Sequence, residues 1–114
     1  MRDATDDLPD GWLREVFESA SAALGGVKLI AHERQRQIAK GYSEAHDDAH
    51  VNGEIAQGAA MYAVPYPLRI RFAQLWPWEM EEFHPCPQDR IKELVKAGAM
   101  ISAEIDRLLR EDRP

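Results

Sequence analysis

Apolar side chains recur at helical spacing along most of the chain, and no stretch alternates apolar with polar as a half-buried strand would. In GWLREVFESASAAL, residues 11–24, Trp12, Val16, Ala20 and Leu24 share one face, and Asp10 can cap the first turn. Gly25-Gly26 then weakens or ends that helix. A second helix is predicted from about Val27 to Lys40, with Gly41 as its C-terminal cap. After a short connection at 42–45, a third helix starts near His46 or Asp47. It runs through Val51, Ile55, Ala59 and Tyr62 to about Ala63, where VPYP stops it because proline cannot continue a helix. A fourth helix, capped by Asp89, spans Arg90 to about Arg110. Its predicted buried stripe is Ile91, Leu94, Val95, Gly98, Ile101, Ile105 and Leu108.

The pattern therefore predicts an all-α fold of four helices, with a long proline- and tryptophan-rich loop over residues 64–88, between the third and fourth. At 114 residues the chain is one domain with a thin core, so burial against a partner chain is expected. Residues 1–26 hold a polar tail and the first helix, and 27–114 hold the core. A net charge of −6 argues against binding nucleic-acid polymers, whose backbone needs a basic surface. Cys86 is alone, so no intrachain disulfide forms. The N-terminus lacks a signal-peptide layout and no apolar run approaches a membrane span, so a cytoplasmic protein is expected.

One short stretch changes this picture. HDDAHVNGE concentrates His46, Asp47, Asp48, His50 and Glu54 ahead of an Ala-rich segment. On one continuous helix, turning about 100° per residue, Asp47, His50 and Glu54 would lie along one side, bordering a buried stripe of Val51, Gly58 and Tyr62. Glu33 and Gln37 border an apolar face of the preceding helix beside Ile30. Charged groups there are costly unless paired or metal-bound, and oxygens from two helices suit Mg²⁺, with Mn²⁺ open because of the histidines. The plainer alternatives are helix-start carboxylates for Asp47 and Asp48, capping or surface histidines for His46 and His50, and a solvated Glu33 paired with Arg36 or Gln37. Lys96 lies opposite the apolar stripe and is expected exposed, while Trp76, Trp78 and Phe83 are core or interface aromatics or a lid over a base. No Gly-rich phosphate loop is present. Cys86 has no nucleophile context, and the two histidines lack the adjacent glutamate of a zinc-protease helix.

ERQRQI, GYSEAHDDAHVNGEIAQGAAMYA, LWPWEMEEFHP and DRIKELVKAGAMISAEIDRLLR, in that order, resemble phage-type MazG-like proteins assigned as dATP/dGTP diphosphohydrolases, the MazZ group. The likeness covers about Ala31 to Arg110, some seven-tenths of the chain. It implies a four-helix MazG-like bundle that binds Mg²⁺ through acidic side chains of two helices. It also implies cleavage of a (deoxy)purine triphosphate between the α- and β-phosphates, in a homodimer or homotetramer with sites at protomer contacts. The broader family reads ExxE and ExxD. Here Glu33 is followed by Arg36, and Asp47, His50 and Glu54 stand in place of ExxD. The expectation is an enzyme with Glu33, Asp47, Asp48 and Glu54 as metal ligands, and with Glu54, Asp48 or His50 activating water. Gln37, Arg36, Lys96, Trp76 and Trp78 are the expected substrate contacts. The alternative is a non-catalytic nucleotide-binding or structural helical oligomer.

Overall fold

The structure is a computed structural model that describes residues 25–111. The helix expected over residues 11–24 lies outside the described residues. Those described are mostly helical, with no strand among them. The helices are α1 (Gly25–Ala39), α2 (Glu44–Asp48), α3 (Glu54–Ala63), α4 (Tyr66–Arg69) and α5 (Arg90–Glu111), with 3₁₀ turns at Ile70–Leu75 and Met80–Glu82.

The ends of α1 and α2 follow local chemistry. Gly41 takes φ of 116°, and the Tyr42 amide reaches the Gln37 carbonyl at 3.0 Å, closing the C-terminus of α1 as expected. At the other end, Gly25 and Gly26 lie inside α1 rather than ahead of it. Ser43 caps α2, its hydroxyl accepting from the His46 amide at 3.3 Å.

The expected third helix is divided in two. Residues 49–53 leave the helical path between α2 and α3, and Gly53 adopts a left-handed φ of 84°. Asn52-Gly53 is a strong turn signal, because glycine takes positive φ without steric penalty. Glu54 then opens α3, its carboxylate accepting from the Asn52 amide at 2.5 Å. Asp47, His50 and Glu54 consequently do not share one face of one helix, and Val51 is exposed rather than core-facing. The 64–88 loop is also more ordered than expected, being largely built from α4 and the two 3₁₀ turns.

α5 packs against α3, α1 and α2 and organises the fold. Asp89 caps it, accepting from the Lys92 amide at 3.1 Å, as the sequence predicts. Its orientation reverses the expectation. Ile91, Leu94, Ile101, Ile105 and Leu108 are all exposed, whereas Glu93, Ala97, Ala99, Ala103 and Arg107 are buried. Small side chains on the inner face admit the neighbouring helices closely, and the two charged ends are neutralised locally. Glu93 meets Arg69 and Arg90, and Arg107 meets Glu104 and Glu111. Gly98 joins the outer stripe to α1: a Cβ there would stand 2.5 Å from the Ile30 side chain. The core itself is Met61, Tyr62, Trp76 and Ala97, with Trp78, Phe83 and Met100 packed against it.

Candidate functional site

A cavity of about 400 Å³ opens where α1, α2, α3 and α5 meet the segment that carries the tryptophans. α1 contributes Glu33, Arg34, Arg36, Gln37 and Lys40, which recur at the i, i+3, i+4 spacing of one helix face. α2 contributes His46 and Asp47, and His50 stands in the break beyond it. The floor is Ile55 and Tyr62 of α3 with Met100 and Ala103 of α5, while Trp76, Trp78 and His84 close one side. Lys96 also lines the cavity. Its placement follows from the orientation of α5. With the apolar stripe turned outward, the opposite side of the helix, expected to be exposed, faces in.

Glu33, Asp47, Asp48 and Glu54, the carboxylates singled out in the sequence, are each already engaged. Glu33 takes two bonds of 2.7 Å from Arg36 and a third, of 3.3 Å, from Gln37. The Arg36 guanidinium accordingly holds the Glu33 carboxyl below its ordinary range, against the opposing effect of burial. Asp47 is buried, with Oδ2 accepting from Arg34 at 3.0 Å and Oδ1 lying 3.6 Å from Nδ1 of His46. Asp48 points away from the cavity and pairs with Arg110 at 2.7 Å on an exposed surface. Glu54 does not line the cavity but stands 3.4 Å from His50, which does. Burial raises the Glu54 pKa, but bonds from its own amide, from Asn52 and from His50 outweigh that and leave it lowered.

The aromatic wall is continuous. Tyr42, His46, His50 and Trp78 meet edge to face with successive centroid separations of 5.0, 5.0 and 5.4 Å. Trp78 also lies over Gly58, where a Cβ would come 2.6 Å from its ring, so only glycine seats the indole this closely on α3. Trp76 belongs to the core and donates from Nε1 to the Glu79 carbonyl at 3.0 Å. Lys96 places Nζ 5.1 Å from the Tyr62 ring centroid and donates to the His84 carbonyl at 3.2 Å. Burial lowers its pKa.

Of the residues singled out in the sequence, Glu33, Arg36, Gln37, His46, Asp47, His50, Trp76, Trp78 and Lys96 line one cavity, and Asp48, Glu54 and Phe83 do not. Sequence reasoning missed Arg34 and Lys40, although their spacing from Glu33 and Gln37 carried the signal. The full burial of Glu93 depends on Arg69, a residue 24 positions away, which no local pattern signals.

Among the described residues, no three His, Cys, Asp or Glu side chains are grouped so as to hold a metal ion. The donor set therefore does not fit an ion caged by protein groups alone. Three carboxylates, Glu33, Asp47 and Glu82, remain on the cavity wall, and Mg²⁺ uses one or two when substrate phosphates complete its shell. No helix among the described residues is long and apolar enough to cross a membrane. No family model matches the chain, and no solved structure matches it.

Proposed function

We propose that this protein is a nucleoside triphosphate pyrophosphohydrolase of the MazG-like type, acting on a magnesium-bound deoxypurine triphosphate such as dATP or dGTP. The supporting observation is the composition of the cavity between α1, α2, α3 and α5. Three carboxylates, basic side chains of α1 and α5, and two indoles line the same space of about 400 Å³, which suits a base joined to a charged polyphosphate. Glu33 and Asp47 are the protein groups that would hold a Mg²⁺ carried by the substrate, and the ion would supply charge neutralisation on the phosphates. Arg36 and Lys96 contact phosphate oxygens, Gln37 orients Glu33, and Trp78 covers the base with Trp76 behind it.

One water is consumed. Its oxygen bonds to phosphorus, the α–β bridging P–O bond breaks, and the products are the monophosphate and pyrophosphate. His50 takes the water's proton, held in orientation by Glu54 across 3.4 Å. Asp48 retains a role only if it exchanges Arg110 for the site.

The outward apolar stripe of α5 supports assembly as a homodimer or homotetramer. Five large aliphatic side chains spaced along one face of a 22-residue helix are more than a solitary chain usually leaves in water.

A second reading, a binder without turnover, draws on the arginine that holds each of Glu33, Asp47 and Asp48. Incubation with each of the eight common (d)NTPs and Mg²⁺, followed by pyrophosphate assay, separates the two. Monophosphate and pyrophosphate together mark the enzyme. Nucleotide-dependent thermal stabilisation without product marks the binder, and neither response would end both.

A further inference from the structure

We propose that Arg34 is a polyphosphate-binding residue of this cavity, held in reserve by Asp47; this deepens, and rests on, the nucleotide reading above. Arg34 lines the cavity with only 8% of its surface exposed. Its Nη2 donates to Asp47 at 3.0 Å, while Nε and Nη1 are buried with no acceptor. A guanidinium offers five donors, and burying them unmet is unfavourable enough that folded proteins rarely do it.

Other buried arginines of this fold show how unusual that is. Arg69 makes two bonds to Glu93 and further bonds to the Tyr62 and Val64 carbonyls. Arg107 is shared between Glu104 and Glu111. Arg34 alone among these three keeps buried nitrogens without a partner, and it alone lines the cavity.

The charge of the site indicates what would complete it. In a protein of net charge −6, the cavity carries Arg34, Arg36, Lys40 and Lys96 against Glu33, Asp47 and Glu82, with three histidines besides. The local sign is thus reversed relative to the whole molecule, which favours an anion. A planar guanidinium suits the paired oxygens of a phosphate chain. Asp47 has a second partner available, since Oδ1 already lies 3.6 Å from His46. Turning toward His46 frees Arg34, whose donors then swing onto the ligand.

The test is calorimetric titration with inorganic tripolyphosphate and, separately, dATP, both without divalent ions, so that binding is read apart from turnover. Wild type should bind. R34M should lose about tenfold or more in affinity, the scale of a charge-assisted contact, and R34K should recover part of it. D47N, which releases Arg34, should bind more tightly than wild type; a purely structural Arg34 predicts destabilisation and no gain. If R34M does not fold, R34M/D47N removes both charges together and should show the same loss. Equal affinity of wild type and R34M/D47N for both ligands, no binding of either by wild type, or D47N no tighter than wild type, overturns the proposal. Arg34-dependent tripolyphosphate binding in a protein that hydrolyses no (d)NTP would leave this inference standing while the enzymatic reading fell.

Discussion

Arg69 closes on Glu93 through two parallel hydrogen bonds, of 2.8 and 2.9 Å, with both side chains hidden from water. The Cys86 amide donates to the same carboxylate at 2.9 Å, and Arg90 donates to it at 3.2 Å. The two arginines also bond the Tyr62, Ala63 and Val64 carbonyls, which α3 leaves unmet at its C-terminus. One buried carboxylate thereby ties the end of α3 and α4 to the start of α5.

The pH dependence of stability follows from that pair. Arg69 chiefly, helped by the Cys86 amide and Arg90, holds the Glu93 carboxyl down to about 2 from an ordinary 4.5. Between those values the unfolded chain takes up a proton that the folded chain refuses, so protonation favours unfolding. The contribution is complete above about pH 4.5 and is lost as pH falls toward 2. Glu93→Gln should lower unfolding free energy at neutral pH by about 3–5 kcal/mol and flatten the acid limb. Urea titrations of both proteins at pH 7 and pH 3 check this, and an equally steep acid limb in the variant would count against it.

Gly58 should not tolerate a side chain. A Cβ there meets the Trp78 ring at 2.6 Å and the Met100 methyl at 2.7 Å. Gly58→Ala is expected to cost about 1–3 kcal/mol despite alanine's better helix propensity, because the indole must move. A changed tryptophan emission maximum together with weaker nucleotide binding is the expected signature.

Glu54→Gln should reduce turnover at least about 100-fold, the usual scale for disturbing a proton-transfer pair, with helix content intact. Glu54 is bound to His50 rather than open to the cavity, so the loss should fall on kcat more than on KM. Pyrophosphate release at the wild-type rate would remove Glu54 from the mechanism.

Ile101→Glu with Ile105→Glu should convert an oligomer to a monomer without unfolding the chain, since both side chains are already exposed in the protomer. Light scattering on the eluting protein reads the mass. A wild type of monomer mass would refute the interface.

Local signals were legible wherever one residue's chemistry decided the outcome. Gly41 ended α1, Asp89 began α5, and the VPYP segment stopped α3. The break before α3 was legible too, in Asn52-Gly53, but the apolar spacing through Val51 and Ile55 hid it, because a periodic pattern counts positions and ignores the backbone angles between them. α5 misled for a related reason. Periodicity identifies an apolar face without saying whether that face meets the protomer's own core or lies at its surface.

The sequence by itself determined the all-α class of the described residues, the ends of the principal helices among them, and the residue types of a cavity on α1 and in HDDAHVNGE. Only the tertiary structure decided which face of α5 turns inward, and with it that Lys96 joins the cavity and Glu93 disappears beneath Arg69. Helix formation answers to neighbours a few positions away. The rotation of a helix about its axis is settled by contacts made far along the chain, here Ile30 on Gly98 and Arg69 on Glu93, which no local pattern contains.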